Sequence, residues 1–198
     1  MMQLGKIVKS NSHIDYICQI YNPNDVPLPP TNEDYAFGTF VKIPINSKQQ
    51  LVGVVYDTVL FNPEFGRIGP RLFPETDLAV FTPDLLNEKA ILIGILTVGM
   101  LDNDGNVFQG VPRLSSTTDA IVEKMIDTEI RQFHCGNSTL RIGYIPLLLS
   151  HSSPLTSLLL QKIVSILVDL FPDQNNLLSV LQNDLAWKLQ VTPLGGAR

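Results

Sequence analysis

The stretch FGTFVKIPINSKQQLVGVVYDTVL, residues 37–60, decides the fold. Residues 37–45 (FGTFVKIPI) follow strand alternation, and 51–60 (LVGVVYDTVL) come close behind, rich in the β-branched residues that suit a pleated surface. Working outward toward the amino terminus, residues 5–9 (GKIVK) and 16–21 (YICQIY) flank Ser10, Asn11 and Ser12, which predicts an antiparallel hairpin. A proline-rich excursion at 23–30 lacks regular ladder donors and is expected to cross the surface.

On the carboxyl side, residues 90–101 (AILIGILTVGML) form a continuous apolar run too rich in Ile, Val and Gly for a preferred helix. It reads as the longest and best-buried strand. Asp104-Gly105 then makes a favoured hairpin turn that returns residues 106–109 alongside it. Between these runs, residues 62–83 are punctuated by Gly and Pro and read as a long ordered loop, with Thr82-Pro83 opening a short helical turn.

After Leu114 the pattern changes. Ser116 with Asp119 resembles a capping box, and residues 117–134 (TTDAIVEKMIDTEIRQFH) are predicted to be a helix. Ile121, Val122, Met125, Ile126, Ile130 and Phe133 would line its buried face, leaving Glu123, Lys124, Asp127, Glu129 and Arg131 to the other side. Residues 140–145 read as one more strand. Ser153-Pro154 caps an apolar helix to Phe171, and Pro172-Asp173 begins another that runs to about Gln190. The fold class expected is therefore α+β, a small N-terminal β-barrel at 1–114 followed by a helical region with three helices at 115–198.

The bulk properties bound the role. The 198 residues are 44% hydrophobic and 17% charged, an apolar balance that favours self-association. A net charge of −5, from 14 basic and 19 acidic side chains without blocks, disfavours direct nucleic-acid binding. Two cysteines, Cys18 and Cys135, are too few for a disulfide framework, and no leader-like stretch opens the chain, so a cytoplasmic setting is expected. The most apolar stretch, 155–171, is interrupted by Gln161, Lys162, Ser165 and Asp169 and falls short of a bilayer span. No membrane role is expected.

Three segments share a glycine set in or before a β run: Leu4-Gly5-Lys6-Ile7-Val8, 37–43 (FGTFVKI) and 51–55 (LVGVV). In that order they resemble the HAS barrel, shared by the amino-terminal regions of HerA-type DNA-translocating ATPases and of rotary ATP synthase catalytic subunits. The resemblance covers roughly residues 4–100. It implies a domain that packs against copies of itself into a ring and does no chemistry in those ATPases. The motor domain that should follow is replaced by helices, so ATPase activity is not implied.

Candidate sites are sparse. Gly94 to Gly99 has the glycine spacing of a Walker A loop, but Met100 and Leu101 occupy the Lys and Ser/Thr positions, so these glycines are read as structural. Asp102-Asn103-Asp104-Gly105-Asn106 imitates a calcium loop, yet Met100 and Val111 would fall at ligand positions, and a hairpin turn is the better reading. His134-Cys135 lacks a second pair at zinc spacing and is read as a helix-end His beside a buried Cys. Neither metal nor cofactor is expected. A nucleophilic centre at Cys135 or Ser150 with His151 ranks last, because no nucleophile-elbow or cysteine-protease pattern surrounds them.

Arg67, Arg71 and Arg113 are more promising, since all sit in glycine- and proline-rich segments and two share the form Pro-Arg-Leu. They suit either a carboxylate or phosphate, or loop-anchoring ion pairs with Asp57, Glu64, Asp77 or Asp84. Barrel core and loop packing account for the aromatics of 61–81; the sharper alternative is a partner-binding patch with Phe65 and Phe73, of the kind that pairs aromatic residues with Arg. The sequence thus points to a non-enzymatic interaction or assembly module, homo-oligomerising through the barrel, with a HerA-like ATPase machine as a further candidate partner. A small-molecule or anion-binding regulatory domain is the alternative.

Overall fold

The computed structural model describes residues 1–62, 89–136, 139–151, 153–174 and 178–185. Six antiparallel strands close into a barrel, which with its helices gives the α+β class expected. In chain order the strands are β1 (Gln3–Ser10), β2 (Asp15–Ile20), β3 (Phe40–Pro44), β4 (Gln49–Phe61), β5 (Ala90–Asp102), β6 (Val107–Gln109) and β7 (Ile121–Lys124). The circuit runs β1-β2-β5-β4-β3-β7 and back to β1, while β6 extends the sheet beside the far end of β5. Closure removes most free edges, the standing liability of a small sheet.

Strand alternation divides the apolar residues into two cores. Val41 and Ile43 of β3, Leu51 and Val55 of β4, and Ile93 and Ile95 of β5 fill the barrel together with Leu4, Ile7 and Val122. Phe40, Val52, Val54, Leu96 and Val98 point outward and would be wetted in an isolated barrel. Helices cover them instead: α1 (Asp127–His134), α2 (Ile145–Ser150), α3 (Thr156–Leu170) and a helical segment at residues 178–185. The inward face of α3 carries Leu159, Leu160, Ile163, Val164 and Leu167, all buried, at the three- and four-residue spacing of an amphipathic helix.

β4 and β5 are long because each serves two neighbours. β5 pairs with β2 over Leu92 to Leu96 and with β6 over Gly99 to Leu101. β4 pairs with β3 up to Val54, then a bulge at Tyr56 shifts its register against β5. The bulge re-aims the strand, whose last residues continue past the end of β3.

The predicted helix over 117–134 is corrected. Asp119 takes a positive φ of 63°, residues 121–124 are strand β7, and only Asp127–His134 is helical. β7 lies between β1 and β3, with Val122 paired to Gly5 and Glu123 to Lys42, so it is the strand that closes the barrel. Helical spacing in this stretch was a by-product of a short two-faced strand running into a short helix. Glu123, expected on the solvent side, is buried, and Ile126, expected in the core, is exposed.

The strand expected at 140–145 shrinks to β9 (Thr139–Leu140), paired with β8 (Cys135–Gly136), and residues 145–150 form the unpredicted α2. Pro146 in its first turn is the signal that was available. The helix expected from Pro172 begins as a short 3-10 turn, Pro172–Gln174, with helical backbone again at 178–185.

Candidate functional site

Past Val55, β4 has β5 on one side and, among the described residues, no strand on the other. Its last five residues, Asp57 to Phe61, are all exposed; Val59, Leu60 and Phe61 show 51%, 77% and 52% of their surface. An open strand edge carrying three large apolar side chains is a ready template for another strand. Beside it lies a cleft of about 490 Å³ whose walls include Tyr21, Pro23, Pro29, Pro30, Tyr35 and Phe61. The proline excursion expected at the surface forms one bank of this cleft. Tyr35 is anchored by its hydroxyl, which donates to the Asn32 side-chain Oδ1, so its ring is a held part of the wall.

Of the side chains singled out in the sequence, Arg67, Arg71, Phe65 and Phe73 lie outside the described residues, as does the loop expected at 62–83 after Asn62. Arg113 is exposed and makes no ion pair among the described residues. Its segment is tethered one residue earlier, where the His13 Nε2–H donates to the Pro112 carbonyl at 2.8 Å. Nearby, the Tyr16 hydroxyl accepts from the Ser116 amide at 3.0 Å and donates to the His13 carbonyl at 2.7 Å.

His134, Cys135 and His151 do not converge. His134 is fully buried between barrel and helices. The Ile130 carbonyl at 2.8 Å can only accept, so Nδ1 carries the proton, and Nε2 accepts from the Tyr144 hydroxyl at 2.7 Å. Burial pulls this imidazole down to about 4 and pushes the Tyr144 phenol well above its ordinary range. Cys135, expected to be buried, is exposed on the β8–β9 hairpin, because the chain leaves α1 there and turns outward. The buried thiol is Cys18 inside the barrel, which burial pushes up to about 12.

His151 follows α2 and meets the barrel at Asp15, Nε2 to Oδ2 3.9 Å, while the Tyr56 hydroxyl donates to the other Asp15 oxygen at 2.8 Å. The Tyr56 ring stands edge-on to the imidazole at 4.7 Å, and burial with the Asp15 bond raises its phenol strongly. Ser150 does not join them, because its hydroxyl donates to the Leu147 carbonyl at 2.7 Å within the helix. This three-residue contact joins the helical layer to the β1–β2 turn and was not legible locally.

The glycine-spaced segment is structural. Gly94 faces the Tyr56 ring and Gly99 the Phe108 carbonyl, both inside β5. Asp102 accepts from the Asn106 backbone at 2.8 Å and from its side chain at 2.9 Å, which holds the carboxyl below its usual range and makes the hairpin turn expected. Among the described residues, no three His, Cys, Asp or Glu side chains gather as a metal site would need. Among them too, no helix is long and apolar enough to cross a membrane.

The architecture defines a small closed antiparallel barrel with one wall covered by helices and, among the described residues, one strand end without a neighbour beside a tyrosine- and proline-lined cleft. The chain belongs to the family described as Domain of unknown function (DUF8166), which matches residues 1–193. No curated protein matches it.

Proposed function

We propose that this protein is a non-enzymatic assembly module that pairs with copies of itself through the barrel, along the free edge of β4. The observation that carries this reading is the exposed apolar end of β4, Val59 to Phe61, with no strand beside it among the described residues. Antiparallel pairing of two such edges is isologous, the same backbone row serving both partners, and closes into a two-fold dimer. The apolar side chains that water now surrounds would be buried by that contact. A HerA-like ATPase is a further candidate partner. That part rests on the order of the glycine-marked strands, which are β1, β3 and β4 of the closed barrel.

Light scattering at micromolar concentration tests the reading. The native chain is expected to run as a dimer or larger with a melting temperature that rises with protein concentration, and the Val59→Lys/Leu60→Lys double variant as a folded monomer whose melting temperature does not. A native chain that is strictly monomeric and captures no partner from native extract would sink it.

Arg113 supports a second reading, an anion-binding regulatory domain, because its exposed guanidinium is not spent on an ion pair among the described residues. A thermal-shift screen with nucleotides and phosphates should then raise the melting temperature of the native chain and not of Arg113→Gln.

A further inference from the structure

A second cleft, of about 580 Å³, lies where β6 faces the end of α1 and the turn after β9. Its apolar lining is Val107 and Phe108 from β6, Phe133 from α1 and Ile142 from the turn, with Gln109, Arg141 and Gly143 beside them. Phe108 keeps 52% of its surface exposed and so has ring area left to cover. The one cationic residue lining the cleft is Arg141, exposed and without an ion pair among the described residues.

The frame of this cleft is pre-organised by a single side chain. The Gln109 amide nitrogen donates to the Phe133 carbonyl at 2.9 Å and to the Arg141 carbonyl at 3.0 Å, and its oxygen accepts from the Gly143 amide. Gln109 thereby ties β6, the end of α1 and the 141–143 turn together, so little ordering remains to be done when a ligand enters. The same bonds consume the Gly143 amide, which is therefore not free to bind an anion.

We propose that this cleft binds a small apolar carboxylate, its hydrocarbon or aromatic body against Phe108, Phe133 and Ile142 and its carboxylate on the guanidinium of Arg141. A planar guanidinium matches a carboxylate with two parallel hydrogen bonds. A phosphate is the poorer match, because a dianion needs more than one cation or a row of free amides, and among the described residues the lining offers neither. An apolar lining with a single cation selects a monoanion that has a body to bury.

Phenylacetate, its neutral isostere phenylacetamide, and inorganic phosphate are the probes, followed by amide chemical-shift mapping on the whole chain. Phenylacetate is expected to give saturable shifts at residues 107–109 and 141–143. Phenylacetamide, and phenylacetate with Arg141→Gln, should each bind at least about tenfold more weakly, the worth of a charge-assisted pair. Arg141→Lys, which keeps the charge and loses the fork, should fall between. Arg141 is exposed, so the variants should retain the native spectrum elsewhere. No saturable shift with phenylacetate, shifts mapping to another face, equal binding of acid and amide, or the same shifts with phosphate would each overturn the assignment.

Discussion

The ammonium of Lys42 on β3 and the carboxylate of Glu129 on α1 form an ion pair across the seam between barrel and helices. Lys42 is 2% exposed, and its second neighbour is Glu123 of β7, at 3.7 Å and directly opposite it across the strands. Glu129 also accepts from the Ile126 amide at 3.1 Å, capping α1, so one carboxylate orients the helix and balances the buried lysine. The strand that closes the barrel, the first helix and β3 are thus held by one polar cluster.

Removing the cation should be costly, since it leaves the buried Glu123 and the partly buried Glu129 side by side without their counter-charge. Lys42→Met is expected to lower unfolding free energy by about 3 kcal/mol in urea titration. Adding Glu123→Gln and Glu129→Gln to that variant should recover part of the loss, because it is the unpaired charge, more than the missing contact, that destabilises.

His134 sets an acid limit. Its folded-state imidazole titrates near 4, against 6.5 for an ordinary histidine. Above 6.5 both states hold it neutral and its contribution is intact; as pH falls, the unfolded chain takes up a proton that the folded chain refuses until about 4. Stability should therefore drop by about 3 kcal/mol across this window from this group alone. Urea midpoints measured from pH 7 to 4 should fall less steeply in His134→Gln than in the native chain.

Gly99 has no room for a methyl group. A Cβ there would stand 2.1 Å from the Phe108 carbonyl oxygen and 2.9 Å from the Phe133 ring. Gly99→Ala should destabilise by about 3 kcal/mol through overpacking and push β6 off β5. Faster amide exchange at the Gly99–Gln109 pairing, with β1–β2 exchange nearly unchanged, would show that the damage is local.

The two thiols should separate cleanly under alkylation. Cys135 is exposed, whereas Cys18 lies in the barrel with its thiol pushed up to about 12. Iodoacetamide is expected to add one group to the native chain, on Cys135, and two after denaturation, as read by intact-mass and peptide-mass measurement.

Strands with a local signature were legible: β1 and β2 around their polar turn, β4 and β5 as long β-branched runs, β6 after Asp104-Gly105, and α3 after Ser153-Pro154. β7 was not. Its four residues are too short for a period, and what makes Ile121–Lys124 a strand is pairing with Gly5 and Val41, far away in the chain. Lys42 did carry a signal, a single charge inside the apolar run FVKIPI, but its two partners come from a segment that reads as a solvent-facing helix. Gln109 is similar, because an ordinary strand-end glutamine gives no hint that its amide will bridge three backbones.

The sequence alone determined that the front of this chain is a sheet built on glycine-marked strands and that its back supplies apolar helices, since propensity, turn chemistry and periodicity are local and need no partner. Tertiary structure alone decided which strand closes the barrel, which charges are buried, how far β4 runs past the end of β3 and how the Arg141 cleft is framed. Each of those depends on contacts between residues distant in the chain, and loop closure and packing, which select them, leave no mark on any one segment.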